Sequence, residues 1–383
     1  MTFFSKSTGA WVVSVIFLFF CSVSVSASSV LPGQDKDNLP YRPSWVSVVK
    51  KGKLFKYKRK EFSSPRLQGD LIFVGADSGY FYAMKKKNGR KVWRYKTEGS
   101  INSAPAFFKD NVLFGNDEGM LICLDAATGR EVWKKPFDSE ILTAPAVSGN
   151  HIFVATVEGD IVSIDGNSGE VLWKKSNRVE GFKMTIRGNS PPVVDDAGRL
   201  FVGFADGQFW ALAQSDGKIL WQKTFQGEKA GFFDVDAEPV IEGDRLYVST
   251  FDGGLYALAR KSGQILWSQP VGSGVRPVIG GEFLYVSGSD GHLYAFRKNS
   301  GEKVWDTRMG IGALTAPVYY KDRIVAGLSD ATINFVRAED GHVLARRFAR
   351  KGIFSDPIID SGDVERIYYF SNGGRLYSLK LLH

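Results

Sequence analysis

The chain has 383 residues, of which 44% are hydrophobic, a formal net charge of +8 and only two cysteines, Cys21 and Cys123. Two cysteines exclude a disulfide-stapled secreted domain. A single hydrophobic core stops growing at about 250 to 300 residues, so the length predicts several domains or a repeat architecture.

Residues 1–27 have the pattern of an export signal. Lys6 precedes an apolar run over residues 10–21, and Ala27 ends a stretch of small residues where signal peptidase cuts. The run is too short to cross a bilayer, which takes about 20 apolar residues. We therefore expect cleavage after Ala27 and an exported protein. Lipidation of Cys21 is the alternative, but Phe20 stands where a lipoprotein motif needs a small residue.

We expect residues 28–52, which follow the signal, to form an N-terminal extension. A run of basic residues lies at the end of this extension and just beyond it: Lys50, Lys51, Lys53, Lys56, Lys58, Arg59 and Lys60. Such a run attracts an anionic membrane surface or a polyanion. Lysines also keep an edge strand soluble without binding anything, and both interpretations stay open.

Eight copies of one pattern follow, and in each a glycine or its replacement introduces a short apolar strand. These residues are Gly79, Gly119, Gly159, Gly207, Gly254, Gly291, Ala331 and Gly374. In the copy that begins at Pro105, apolar runs alternate with tight turns at 116–119 and 127–130, which predicts a four-stranded antiparallel meander. A ring of such sheets buries both faces of each one.

The predicted fold class is therefore all-β, an eight-bladed β-propeller of four-stranded antiparallel blades over residues 53–383. The last copy stops after its third strand, so we expect an N-terminal strand at residues 54–57 to complete the eighth blade. Six copies carry a tryptophan four residues after a turn glycine. Rings at equivalent positions predict packing between blades, and they are Trp93, Trp133, Trp173, Trp221, Trp267 and Trp305.

Two connections between blades are longer than the rest. The separation from the tryptophan to the next first-strand proline is 12 or 10 residues in four copies, but 19 from Trp173 to Pro192 and 18 from Trp221 to Pro239. The extra residues fall in the connections 174–190 and 222–238. Equivalent connections emerge on one end of a propeller, so these two are expected to be neighbours and to form a docking element.

The repeat resembles that of quinoprotein-type propellers, as in the Thr-Gly and Trp of residues 125–133. Within that superfamily the export signal and two segments resemble the BamB family of outer-membrane β-barrel assembly factors. The segments are Met-Thr-Ile-Arg-Gly from Met184 and Asp-Val-Asp-Ala-Glu-Pro from Asp234.

The resemblance implies a non-enzymatic periplasmic scaffold, peripheral to the outer membrane, that binds a POTRA domain of a BamA-like subunit and assists barrel insertion. By matching motif, the implied partner-binding residues are Met184, Ile186, Arg187, Asp234 and Asp236. Met184 and Ile186 stand where the family tends to have leucine. Unfolded outer-membrane clients are a further implied partner, bound by strand addition. No nucleic-acid partner is expected.

Two other functions remain alternatives. Quinone-dependent dehydrogenases share the repeat, but they resemble one another in a vicinal cysteine pair and Ca²⁺-binding carboxylates, and this chain has no adjacent cysteines. The histidines at 151, 292, 342 and 383 lack metal-ligand spacing. We therefore expect no catalytic, cofactor-binding or metal-binding residues. A general peptide- or glycan-binding propeller of the cell envelope is the other alternative.

Overall fold

The computed structural model describes residues 39–49, 62–178, 188–225, 234–349 and 351–382. Over these residues the chain forms eight four-stranded antiparallel sheets. They are arranged as an eight-bladed β-propeller, which confirms the predicted fold. The export signal, Cys21 and the predicted strand at 54–57 lie outside the described residues.

The strands follow one another in chain order through the blades. The first strand, β1 (Tyr41–Val48), belongs to blade 8. Blades 1 to 4 contain β2 (Arg66–Gln68), β3 (Leu71–Gly75), β4 (Tyr80–Lys85) and β5 (Lys91–Lys96); β6 (Ala106–Phe108), β7 (Asn111–Gly115), β8 (Met120–Asp125) and β9 (Glu131–Pro136); β10 (Ala146–Ser148), β11 (His151–Ala155), β12 (Asp160–Asp165) and β13 (Val171–Ser176); β14 (Val193–Val194), β15 (Arg199–Gly203), β16 (Gln208–Ala213) and β17 (Ile219–Thr224). Blades 5 to 8 contain β18 (Val240–Glu242), β19 (Arg245–Thr250), β20 (Gly254–Ala259) and β21 (Ile265–Gln269); β22 (Val278–Gly280), β23 (Phe283–Ser287), β24 (His292–Arg297) and β25 (Lys303–Arg308); β26 (Val318–Tyr320), β27 (Arg323–Leu328), β28 (Thr332–Arg337) and β29 (Val343–Phe348); β30 (Ile358–Asp360), β31 (Arg366–Ser371) and β32 (Arg375–Leu381).

The hydrophobic core is divided among the junctions between blades. Successive side chains of a strand point to opposite faces of its sheet, so Phe81 and Tyr82 pack on different neighbours. Phe81 stacks on Phe114 of blade 2 with ring centroids 4.0 Å apart, whereas Tyr82 packs with Tyr368 of blade 8. Eight buried clusters fill the eight junctions in this way. Each blade is thus held by both neighbours.

The eighth blade is closed by β1, which pairs along β32 from Tyr41 opposite Leu381 to Val48 opposite Arg375. The closing strand is therefore Tyr41–Val48, not the segment 54–57 that the sequence predicted, and it comes from the stretch assigned to an N-terminal extension. Tyr41 explains the choice, since it is almost fully buried and stacks on Phe335 of blade 7 at 4.8 Å.

The two ends of the ring carry different loops. One end has the turns between the second and third strands of each blade and the connections to the next blade; we call it the connection end. The other has the turns between the first and second and between the third and fourth strands; we call it the tryptophan end. The short first strands line the central channel, where β6 contacts β10 and β22 contacts β26.

A β-bulge recurs in the outer strands near the tryptophan end. Each outer strand has one extra residue, which outside blade 7 precedes a tryptophan, as Val92 does where Ala83 pairs with Trp93 but Met84 pairs with Lys91. A bulge of this kind redirects a side chain. The Trp93 ring covers Gly129 of blade 2, where an added Cβ would lie 2.5 Å from the ring, and its Nε1 donates a hydrogen bond to the Ala126 carbonyl at 3.0 Å.

The same contact joins most blades. The other five predicted tryptophans each lie over a positive-φ glycine and donate to a carbonyl of the next blade, in the pairs Trp133 with Gly169 and Gly166, Trp173 with Gly217 and Gln214, Trp221 with Gly263 and Arg260, Trp267 with Gly301 and Lys298, and Trp305 with Gly341 and Ala338. A seventh member, Trp45 of β1, covers Gly89 and donates to Lys86 at 3.0 Å.

Blade 7 has Ala345 at the tryptophan position, and the closure explains why. The next blade has no turn between its third and fourth strands, because β32 and β1 come from distant parts of the chain. There is no turn glycine for a tryptophan to cover. Tyr41 packs with Ala345 in the same cluster instead.

Candidate functional site

The first long connection, residues 174–190, is held at its outgoing end by charged side chains of blade 3. Arg178 donates two hydrogen bonds to the Asp160 carboxylate, at 2.6 and 3.2 Å, and lies 3.1 Å from Glu158. Lys174 also reaches Asp160, at 2.8 Å. Asp160 is almost fully buried at the start of β12. The connection therefore leaves the ring from a fixed position.

Asp160 keeps its charge in this setting. Burial alone would raise its pKa, but the hydrogen bonds from Arg178 and Lys174 outweigh burial, and the pKa is lowered below its usual value. The same carboxylate raises the pKa of Arg178. The ion pair is thus intact at neutral pH.

The returning end of this connection is held by Asn189. Its side chain donates to the Thr156 carbonyl of blade 3 at 2.6 Å and accepts from the Ala205 amide of blade 4 at 3.2 Å. Asn177, on the outgoing side, donates to Asp206 at 3.1 Å. Both ends of the connection therefore contact the blade-4 turn, which we define as residues 204–207.

The second long connection, residues 222–238, contacts the same turn. The Phe225 amide donates to the Gly207 carbonyl at 2.8 Å, and the Val235 amide donates to the Phe204 carbonyl at 3.0 Å. Phe225 is buried, and its ring packs on that of Tyr256 of blade 5 with centroids 4.5 Å apart and planes tilted by 35°. The bases of the two long connections are therefore neighbours, with the blade-4 turn between them.

The predicted partner-binding residues divide into two groups. Met184, Ile186 and Arg187 lie outside the described residues. Asp234 and Asp236 are described and are buried, with 1% and 6% of their surfaces exposed. The structure thus places both aspartates at the base of the second connection and not on its outer surface.

Each aspartate is tied to a neighbouring blade element. The Asp234 carbonyl accepts a hydrogen bond from the Phe251 amide at 3.0 Å, which fixes the connection to the second turn of blade 5. The Asp236 carboxylate faces the channel, where both of its oxygens lie 3.4 Å from the position that a Cβ on Gly274 would take. A Cβ on Gly274 would thus be in ordinary contact with this carboxylate and would lie closer to the Phe251 ring, at 3.0 Å.

A cavity of about 250 Å³ opens at the connection end of the central channel. The polarity of its wall differs from side to side. Blades 2 to 4 contribute the apolar residues Ala104, Ala144 and Pro191, whereas Arg66 of blade 1 and Arg276 near blade 6 are its cationic residues. Burial and the proximity of Arg276 lower the pKa of Arg66, while Glu238 and Asp356 act in the opposite direction. Glu238 also lies 3.8 Å from Arg276. The second long connection therefore borders the cavity through Asp236 and Glu238.

Several residues of this region were missed by the sequence analysis. The blade-4 turn has the same Asp-Gly spacing as turns elsewhere in the ring, so nothing in its sequence marks it as an anchor. Arg66 was detectable, because it follows a first-strand proline where the other copies have alanine, valine or isoleucine. Arg276 stands before such a proline and is the basic residue at a position where Glu238 and Asp356 are acidic. Trp45 was hidden by the long segment that separates it from Pro65.

Within the described ranges, no group of three or more histidine, cysteine, aspartate or glutamate side chains is placed to hold a metal ion. No helix of that part of the chain is long and apolar enough to cross a membrane.

Comparisons with known proteins agree with this architecture. The structure of BamB from Moraxella catarrhalis is 23% identical, with a TM-score of 0.75, and the match covers 85% of this chain and 98% of that one. A europium-containing methanol dehydrogenase has a TM-score of 0.76 at 15% identity, with 92% and 96% covered. A quinohemoprotein alcohol dehydrogenase from Pseudomonas putida HK5 has a TM-score of 0.75 at 12% identity, with 90% and 76% covered. These likenesses show the fold.

Sequence comparison is more specific. None of the curated proteins matches this chain significantly. The family described as outer membrane protein assembly factor BamB matches residues 77–307, well over half of the chain. The chain therefore belongs to the BamB family.

Proposed function

We propose that the protein is a non-enzymatic periplasmic scaffold of the machinery that assembles outer-membrane β-barrel proteins. It binds a POTRA domain of a BamA-like subunit through the two long connections. The observation that carries this assignment is the blade-4 turn, which anchors both connections side by side at one end of the ring. Two adjacent insertions on a rigid scaffold are typical of a docking site.

The candidate residues have different roles in this assignment. Arg187 is the polar anchor, because arginine is enriched among the residues that dominate interface energies. Met184 and Ile186 supply apolar contact beside it. Asp234 and Asp236 are positioning residues, since their burial keeps them at the base of the second connection. The export signal and the family membership support a periplasmic location at the outer membrane.

Unfolded barrel segments are a second partner in this function, bound by strand addition to the outer strands. The bulge before each tryptophan interrupts the edge of its strand. The regular edge is therefore the half of each outer strand nearer the connection end, and a client segment would pair there.

The dehydrogenase alternative was tested on the residues present. Cys123, the only described cysteine, is fully buried between blades 2 and 3, and burial raises the pKa of its thiol to about 12. It is remote from the channel cavity. The carboxylates at the cavity, Asp236, Glu238 and Asp356, belong to no metal-binding group among the described residues. These residues do not fit a quinone and Ca²⁺ site.

The partner assignment is tested by affinity measurement. Purified Arg187→Ala should bind the POTRA domains of the BamA-like subunit at least thirtyfold more weakly than the unmodified protein, because loss of an interface arginine costs about 2 kcal/mol or more. Asp236→Asn should weaken binding less, since it acts through the position of the connection. Biolayer interferometry with immobilised POTRA domains measures both.

Arg297→Ala is the matched control, because it removes a half-exposed arginine from the tryptophan end. It should leave the affinity unchanged. Unaltered binding by Arg187→Ala would show that the interface lies elsewhere. Reduction of a dye by alcohols or sugars after addition of pyrroloquinoline quinone and Ca²⁺ would establish an enzyme instead of a scaffold.

A further inference from the structure

Charge is unevenly distributed among the described parts of the ring. Residues 62–97, which contain blade 1, have eight lysines and arginines and two aspartates, a net charge of +6. The described residues of 98–271, which contain blades 2 to 5, have thirteen basic and twenty-two acidic residues, a net charge of −9. Blade 1 is thus a basic sector beside an acidic arc.

The exposed cations of blade 1 lie on its outer strand, β5. Lys91, Arg94 and Lys96 all have exposed side chains. The Arg94 guanidinium and the Lys96 ammonium lie 5.1 and 5.2 Å from the centre of the Tyr80 ring, and the Lys91 ammonium lies 4.8 Å from that of Tyr82. Aromatic faces attract cations. Two tyrosines of β4 thus hold three cations close together.

In the part of the chain that the structure describes, these cations have no carboxylate partner of the kind that their counterparts have. In blades 2, 3 and 6 the outer strand pairs a lysine with an acid, in Lys134 with Glu131, Lys174 with Asp160 and Lys303 with Asp306. Among the residues that the structure describes, no carboxylate forms a salt bridge with Lys91, Arg94 or Lys96. Burial and the nearby Arg94 lower the pKa of Lys91.

Exposed valines border the same cations. The Lys91 ammonium donates to the Val49 carbonyl at 3.3 Å, which joins β5 to the end of β1 in blade 8. Val46 and Val48 of β1 are 43% and 46% exposed, and Val92 of β5 is 42% exposed. We call this surface, formed by Lys91, Arg94 and Lys96 with Val46, Val48 and Val92, the basic wall.

We propose that the basic wall docks on an anionic phospholipid surface. Clustered lysines and arginines are attracted by anionic headgroups, and apolar side chains between them enter the headgroup boundary, as on interfacial helices. The valines favour lipid over a soluble polyanion, which offers nothing apolar to cover them. Blade 1 is three blades away from the blade-4 turn, so membrane contact leaves the two long connections accessible. The inference does not depend on the POTRA assignment.

The test uses two matched double variants of the purified protein. Lys91→Gln with Lys96→Gln removes two charges from β5, and Lys303→Gln with Arg308→Gln removes two charges from the equivalent positions of β25. Both variants keep the same N-terminus, so its contribution to binding is common to them. Co-sedimentation with vesicles of phosphatidylcholine containing 0 to 40% phosphatidylglycerol measures the partition coefficient, and circular dichroism verifies folding.

We expect the unmodified protein to bind more tightly as the phosphatidylglycerol content rises. The β5 variant should partition about twenty-five times more weakly onto anionic vesicles, because each basic residue near such a surface contributes about fivefold. The β25 variant should change less than twofold. Equal losses in both variants would show that only total charge matters and would overturn the assignment. Binding that does not depend on the phosphatidylglycerol content would also overturn it. So would a result in which the β5 variant alone loses binding to soluble polyphosphate while its binding to vesicles stays unchanged.

Discussion

The two ends of the ring follow different rules. At the tryptophan end the same contact recurs between blades, a ring over a positive-φ glycine with a hydrogen bond to the next blade. At the connection end the lengths differ, and side chains such as Asn189 and Arg178 fix individual loops. One end therefore maintains the ring while the other is free to vary. Variation is tolerated at the connection end because stability is supplied elsewhere.

The closure of blade 8 departs from the repeated contacts, because it joins two distant parts of the chain. Of the substitutions considered, Tyr41→Ala should reduce the stability most. Replacement of a buried aromatic side chain by alanine costs about 4 kcal/mol, and Tyr41 is only 1% exposed and stacks on Phe335. Urea denaturation measures the loss in unfolding free energy. Val46→Ala on the same strand is the control and should cost less than about 0.5 kcal/mol. Similar effects of the two substitutions would mean that β1 is not held by Tyr41.

The tryptophan contact predicts that equivalent glycine substitutions have unequal effects. Gly129 and Gly149 both have positive φ at the tryptophan end, +74° and +58°, but a Cβ on Gly129 would meet Trp93 whereas one on Gly149 meets nothing within 4 Å. Gly149→Ala should cost about 1 kcal/mol for backbone strain. Gly129→Ala should cost about 3 kcal/mol, because overpacking adds to the strain. The losses of stability in the two variants are compared through their midpoints of chemical denaturation. Equal losses would show that the contact with Trp93 does not contribute.

At the connection end, Asp160→Asn should destabilise the protein by about 1 kcal/mol at pH 7, because it weakens two charge-assisted hydrogen bonds from Arg178. The pKa of Asp160 is lowered in the folded state. Its contribution is therefore present above the unfolded pKa of about 3.9 and is lost as the pH falls through the folded value. Thermal unfolding between pH 7 and pH 2 should show the two proteins converging in acid.

Glu118→Gln serves as the control, since it removes one negative charge from an exposed turn of the connection end. Its stability should follow that of the unmodified protein throughout. A constant difference between Asp160→Asn and the unmodified protein down to pH 2 would show that packing, and not the ion pair, holds the first connection.

The smallest expected effect concerns Ala331, which has φ of +92° at the turn where other blades have glycine. Ala331→Gly should stabilise the protein by about 0.5 kcal/mol, because relief of strain exceeds the entropy cost of glycine. The reciprocal Gly291→Ala in blade 6, at φ of +83°, should destabilise it. Differential scanning calorimetry detects both changes in unfolding temperature. A loss of stability in Ala331→Gly would show that the backbone at Ala331 is not strained.

Much of the fold could be predicted because each blade repeats one local pattern. The spacing of Pro105, Gly119 and Trp133 is set by strand lengths, so counting along the chain located the blades and the long connections. The closing strand was placed wrongly because no spacing rule applies across a noncovalent joint. Trp45, which now marks that strand, was visible in the sequence but lay out of register with the others.

The site was less accessible to sequence reasoning for a related reason. The motif that contains Asp234 and Asp236 indicates which segment matters but not which way its side chains face. The burial of these two aspartates depends on the blade-4 turn and on blade 5. The repeat pattern predicts that these elements are neighbours, but it does not predict which side chains contact each other. The charges of β5 were equally visible, yet their separation from the carboxylates of the described blades emerges only when neighbouring strands are placed.

The pairing of β1 with β32 also sets an order of events during synthesis of the chain. Residues 41–48 are made early and residues 375–381 much later, so the first strand waits without its partner while the other blades form. Contacts between such distant residues are slow to form. The ring therefore closes only when synthesis is nearly complete, and until then its first and last blades each expose a face that a chaperone or a protease can recognise.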